Sequence, residues 1–322
     1  MADEARKQLF GHSSPPTEGT GGGCVVLFSL PFIGVGVFAM ALSLGYIPSM
    51  ESGIKGPHAL LTVFGAVFCL AGLGLWGVGL SAIAGARAAL KRRREHPNEP
   101  WYWDHAWNPQ FAESGGPGTA LQGLAVGAFL VLFLSMFNFI AFFSGKSDVP
   151  FFVKGIVGFF DLIALLVIGS AFYALFQYFK YGKSRLHFAR FPFRPGNTLE
   201  GGLEGSRRLF QANAIVLTLR YIEEVIVTTG SGKNRNTSVS LYTLHEVRQE
   251  IDPRQLNPDS DLGIPISIRL PEGMPTLLHD KPRRYWELDV SADTPGIDYS
   301  ARFIIPVYGD EPRDDAERRP PG

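Results

Sequence analysis

Residues 151–190 read FFVKGIVGFFDLIALLVIGSAFYALFQYFKYGKSRLHFAR, and the change of character inside this stretch decides how the chain is built. Up to Tyr178 the stretch is apolar apart from Lys154 and Asp161. Beyond it come Lys180, Lys183, Arg185 and Arg190, and from Leu186 onward hydrophobic residues recur at every second position. A helix rises about 1.5 Å per residue, so roughly 20 apolar residues cross a hydrocarbon core about 30 Å thick. The first part of the stretch is long enough to do so. The second part has the period of a half-buried strand.

Working back from this point, residues 24–46, 59–86 and 119–145 are uncharged and each long enough to cross in the same way. In lipid a helix satisfies its own backbone hydrogen bonds, which an open strand cannot do. Four such lengths in succession predict an α-helical membrane bundle of four transmembrane helices. Working forward, Ile215, Leu217, Leu219 and Tyr221 alternate with polar or smaller residues. Ile264 to Leu270, Trp286 to Val290 and Tyr299 to Val307 alternate in the same way. Turn signals such as Pro195-Gly196, Asn257-Pro258-Asp259 and Pro295-Gly296 separate these runs. Some seven strands without room for crossover helices predict an all-β antiparallel sandwich domain following the bundle. Pro306 in the last run marks an edge strand or a bulge.

The expected organisation is a disordered cytoplasmic tail over 1–23 and a transmembrane domain over 24–182, with a cytoplasmic loop at 87–118. A β-sandwich over 183–308 and a disordered tail over 309–322 follow. The polar start, rich in Gly, Pro, Ser and Thr, lacks the order of a cleaved signal peptide. Orientation follows from basic residues beside the spans. Arg87, Lys91, Arg92, Arg93 and Arg94 follow the second span, and Lys180, Lys183 and Arg185 follow the fourth. The opposite loops offer Lys55 and Lys146. Both termini and the β domain are therefore expected in the cytoplasm.

Composition excludes some functions. The chain of 322 residues has 30 Lys+Arg and 30 Asp+Glu, so no nucleic-acid partner is expected. Cys24 and Cys69 both lie in apolar spans, which leaves no disulfide framework and no metal site. No cofactor motif is present: Gly230-Ser231-Gly232-Lys233 lacks the earlier glycine and the following Ser/Thr of a phosphate loop. His187, His245 and His279 carry no nucleophile pattern, and the chain reads as no enzyme.

Three groups of residues remain as candidates. Asp161, Asn138 and Lys154 form a candidate intramembrane polar site, since an ionisable group within a span is costly and faces the bundle interior or water. Trp101, Trp103 and Trp107 form a candidate interfacial anchor, because indoles suit the headgroup region beside the Lys91–Arg94 basic run. Small residues at Gly65, Cys69, Gly72, Gly79, Ala82 and Ala86 line one face of the second span, interrupted by Trp76. This stripe predicts close packing inside the bundle, with a homo-oligomer seam as the alternative.

Pro195-Gly196-Asn197-Thr198-Leu199-Glu200-Gly201-Gly202 resembles the opening of arrestin-type sandwiches, and 285–307 resembles their closing strands. Together with the Pro100-Trp101 … Asp104 … Trp107 loop, the chain resembles uncharacterised bacterial multi-pass membrane proteins with an arrestin-like or immunoglobulin-like soluble β-sandwich. The resemblance implies a bacterial inner membrane and a sandwich that recruits or senses a protein partner. No activity is established for that group, so no functional residue carries over. The competing readings are a transporter or channel component using Asp161, and a membrane enzyme acting on lipid or envelope substrates near Asp104 and His105. In each case the bilayer is itself a partner.

Overall fold

The computed structural model describes residues 7–9, 22–47, 58–143, 149–204, 207–229, 236–257 and 263–309. The chain divides into two compact units whose sequences interleave. One comprises Glu18–Ala88 and Pro117–Phe176; the other comprises Met1–Thr17, Ala89–Gly116 and Gln177–Gly322.

The first unit holds the apolar helices. These are α1 (Gly22–Ser43), α2 (His58–Glu95), α3 (Pro117–Asn138), which runs on into a π turn at Phe139–Phe143, and α4 (Phe151–Tyr181). All four are long and apolar enough to cross a membrane. Large apolar side chains such as Leu27, Leu70, Phe159 and Leu165 point outward at 60–70% exposure, as a lipid-facing surface requires. Basic residues close the last turns of α2 and α4, where they complement the helix dipoles.

The small-residue stripe packs α2 on α1. A methyl group added to Gly36 would lie 2.6 Å from the Gly65 carbonyl oxygen and the Cys69 amide nitrogen. Gly72 faces Ile33, and Gly79 faces Gly22 and Val26 as closely. A hydrogen bond of 2.6 Å between the Ser43 and Thr62 hydroxyls closes one end of this seam. Phe68 then meets Phe129 and Phe133 of α3, and Gly123 and Gly127 of α3 face Ala171 and Ile168 of α4.

The second unit is the antiparallel sandwich. Its strands are β1 (Lys7–Leu9), β2 (Phe111–Ser114), β3 (Ser184–Phe188), β4 (Thr198–Glu204) and β5 (Ile215–Thr229). Then come β6 (Asn236–Ile251), β7 (Ile264–Arg269), β8 (Arg283–Ala292) and β9 (Tyr299–Ile305). One sheet has the order β1-β6-β5-β8-β9 and the other β2-β3-β4-β7. Alternate residues from both, among them Leu186, Leu203, Ile266, Leu217, Trp286 and Phe303, fill a common core at 0–2% exposure. β9 is an outer strand, and the Pro306 carbonyl just past its end accepts the Phe193 amide at 2.9 Å.

Two strands come from segments whose composition reads as tail and loop. Lys7–Leu9 pairs with Leu241–Thr243 of β6, and Phe111–Ser114 pairs with β3. Runs of three and four residues are too short to show a period, and their partners supply the order. Around β2, Glu113 lies 2.9 Å from Arg185 and 3.5 Å from Lys183, which hold its exposed carboxyl below the usual range. The Gly230–Lys233 motif lies outside the described residues; β5 and β6 flank it as a hairpin, not as the strand and helix of a phosphate loop.

Candidate functional site

The outer face of the five-stranded sheet is where buried polar groups gather. The bulge between Tyr221 and Ile222 keeps alternation in step, so that Thr243, Ile222 and Tyr285 form one outward row across β6, β5 and β8. Outward residues usually meet water. Here Ile222, Leu241, Leu278 and Tyr285 form a second apolar cluster, covered by Leu9 and Trp107. The tryptophan loop is thus laid across the sheet as a lid on that face.

Pro100 opens a short 3-10 turn at Pro100–Tyr102, and its carbonyl accepts both the Trp103 and Asp104 amides, at 3.1 and 2.8 Å. The turn delivers Asp104 into the interior, at 6% exposure. There the Tyr308 hydroxyl donates to Asp104 Oδ2 at 3.1 Å and accepts from Trp107 Nε1 at 3.0 Å. His279 donates through Nδ1 to Asp104 Oδ1, a carboxylate having only acceptors to offer. Burial, reinforced by the Asp104 charge, pushes the Tyr308 phenol well above its ordinary value. His279 is half-exposed, with the Trp103 ring edge-on at 5.2 Å. Arg93 lies 4.7 Å over Trp103, whose Nε1 donates to the His96 carbonyl at 3.0 Å.

A further buried set lies along β8. Glu287 is 3% exposed, 3.5 Å from Arg302 Nε, and burial outweighs that cation and pushes its carboxyl up to about 7. Tyr285 and Thr243 bury hydroxyls with no hydrogen-bond partner among the described residues. Burial first, then the charges of Glu287 and Glu224, raises the Tyr285 phenol. Glu224 pairs with Arg283 at 3.0 Å and Glu223 with Arg284 at 2.8 Å.

The sequence candidates distribute as follows. Trp101, Trp103 and Trp107 are all half-buried within the β unit, and the indole N–H groups of the last two bond to protein. Asp104 meets His279, and His105 rests edge-on against Trp107. His187 bonds to Glu204 at 2.9 Å and His245 lies against Trp286, so the three histidines do not converge. In the helical unit Asn138 Nδ2 donates to Asp161 Oδ1 at 2.8 Å and lies 3.2 Å from the Leu134 carbonyl. The pair borders a groove of about 500 Å³ beside the π turn, lined also by Ser135, Phe143 and Ala164. No ion pair joins Lys154 to Asp161 among the described residues. The signal for Tyr308, Glu287 and Arg302 was absent from the sequence, because only sheet pairing gathers them.

Chemically, an Asp-oriented, half-exposed imidazole can relay a proton, but no Ser or Cys nucleophile is among its partners in the described residues. Among the described residues no group of three His, Cys, Asp or Glu side chains could hold a metal ion. Two cavities flank Trp107. One, of about 490 Å³, is lined by Arg92, Trp101, Tyr102, His105, Trp107 and Pro192, among others. The other, of about 370 Å³, includes Phe111, Glu113, Arg302 and Ile304.

No family model and no curated protein matches the chain. Among solved structures, Spo0M, the sporulation control protein from Bacillus subtilis, matches at 15% sequence identity with a TM-score of 0.25. The match covers 39% of this chain and 49% of that one, so this chain spans about half of that protein's length.

Proposed function

We propose that the protein is a bacterial inner-membrane protein whose cytoplasmic sandwich, arrestin-like in type, is a protein-interaction or sensing module rather than an enzyme. The observation that carries this reading is the β6 edge. Lys7–Leu9 already adds to it as an extended strand, with Leu9 on the apolar cluster of the outer face. Among the described residues the rest of that long edge, 244–251, has no strand on its free side. Open edges of this kind accept peptide strands through main-chain hydrogen bonds. The basic residues after α2 and α4 support cytoplasmic termini.

A photocrosslinker placed at Arg248 on β6 in the full chain, and in parallel at Ser267 on the β7 edge, tests the reading in cells. A discrete adduct from Arg248 alone is expected. No adduct, or the same adducts from both positions, overturns it.

The Asp161–Asn138 pair beside its groove favours a second reading, a transporter or channel component. Interhelical polar contacts of this kind contribute about 0.6–1.7 kcal/mol. Asp161→Asn keeps an acceptor for Asn138, so a packing role predicts normal yield and unchanged ion flux in proteoliposomes. Loss of a measured flux in a well-folded variant would favour transport instead.

A further inference from the structure

The groove beside the Asp161–Asn138 pair has a property that packing does not require. Asp161 is half-buried and lies ten residues into α4. By helical rise that is about 15 Å, half of a hydrocarbon core about 30 Å thick. Its Oδ1 accepts from Asn138 at 2.8 Å. Its Oδ2 has no hydrogen-bond partner among the described residues, yet it is not sealed from the surface as the Tyr285 hydroxyl is. Lys154, the nearest cation along the helix, is two turns away and does not line the groove. An ionised carboxylate in hydrocarbon without a counter-charge is costly, so this one takes up a proton or a cation.

The walls of the groove select the kind of cation. Among the described residues its polar lining is Ser135, Asn138 and Asp161, and the Ser135 hydroxyl already donates to the Leu132 carbonyl at 2.6 Å. A metal ion stripped of water needs about six oxygens around it. This groove does not hold them. Its remaining wall includes Val131, Phe139, Phe143, Leu165 and Ile168. Phe139 and Phe143 stand four residues apart in the π turn, and both line the groove. Aromatic faces attract a cation whose charge is spread over carbon, as in the recognition of quaternary ammonium groups.

The groove is also open in the right direction. Val131, Phe143 and Leu165 are exposed, so it faces outward on the apolar surface of the helices, while buried Ala164 forms its floor. Its volume of about 500 Å³ is that of a small-molecule site. We propose that the groove binds a lipophilic organic cation of the quaternary ammonium or phosphonium type. Asp161 supplies the counter-charge, and Phe139 and Phe143 supply the aromatic wall. Such a molecule dissolves in the bilayer and reaches the groove from the side. The inference rests on the same polar pair as the transport reading and names its ligand class. It concerns binding alone, so the two can fail separately.

The test uses the full chain in non-ionic detergent and radiolabelled tetraphenylphosphonium, measured by equilibrium dialysis against empty micelles. Saturable binding to one site is expected, and sodium or potassium chloride should not displace it. Tetraphenylborate, an anion of nearly the same size and shape, should show no saturable binding in a separate titration. Asp161→Asn keeps an acceptor for Asn138 and should weaken binding about tenfold or more, as loss of a counter-charge outside water implies. Phe143→Leu keeps the wall apolar, removes the aromatic face and should weaken binding about two- to fivefold. Phe159→Leu, exposed on α4 outside the groove, should leave it unchanged. Equal binding by Asp161→Asn and the unaltered chain, or equal binding of tetraphenylborate, would mean an apolar surface only and overturn the inference. Displacement by sodium or potassium would mean an inorganic ion site and overturn it too. Saturable binding that depends on Asp161, without flux of the same cation in proteoliposomes, would support the inference and end the transport reading.

Discussion

Asp104 and Glu287 carry different kinds of information about their site. Asp104 sits in a loop whose Pro100, Trp101, Trp103 and Trp107 mark it as special, so the loop was legible, though as an interfacial anchor. Its partners were not: Tyr308 lies 204 residues away and His279 lies 175 away, and only the folded sheet brings them within reach. Glu287 gave no signal, being one polar position in the alternation of β8. Covering that outer face changes its chemistry. An ordinary glutamate ionises near 4.5, whereas burial beside Arg302 moves Glu287 up to about 7. The folded unit holds this proton more tightly than the unfolded chain does. Its contribution to stability is therefore complete below pH about 4.5 and is lost as the pH rises through about 7. The full chain, unfolded by denaturant in detergent and followed by tryptophan fluorescence, should lose on the order of 1–3 kcal/mol across that window. Glu287→Gln should flatten the slope; the same slope in the variant would place the titration on another group.

Among the elements, legibility followed length and period. The four helices needed only their long apolar runs, and their ends fall within a few residues of the composition breaks except where α2 continues to Glu95 through its basic turns. The seam between α1 and α2 was visible as well, since Gly65, Cys69, Gly72 and Gly79 recur on one face and nothing larger fits against Gly36 and Ile33. Trp76 breaks the stripe because it points outward, at 41% exposure. Long alternating strands such as β5 and β8 were legible for the same reason. β1 and β2 were not, because three or four residues cannot display a period and their strand character comes from β6 and β3. The same limit explains why the outer face read as solvent: alternation reports which side a residue takes, not what later covers that side.

At the scale of the whole molecule, the break near residue 180 lies close to a division of the fold between Phe176 and Gln177, but the β unit also draws on segments before it. The β unit takes in Ala89–Gly116, the last turns of α2 with the loop that follows, and Gln177–Tyr181 from the end of the fourth helix. Tyr181 is buried in the sandwich core, its hydroxyl meeting Thr294 and the Ile297 carbonyl. A fragment of residues 183–322 therefore lacks Tyr181, the β2 partner of β3, and the Trp107 and Leu9 cover over Ile222, Leu241 and Tyr285. Each large apolar side chain left uncovered costs roughly 1.5–3 kcal/mol, against a total stability of about 5–15 kcal/mol for a domain. That fragment should aggregate, or show rapid amide exchange along β3 and at Ile222 and Leu241. Residues 1–17 and 89–116 joined through flexible linkers to 177–322 should instead yield a monomer protected at those amides. A monomeric 183–322 fragment with full protection there would show that the interleaved segments rest on a sandwich already complete without them.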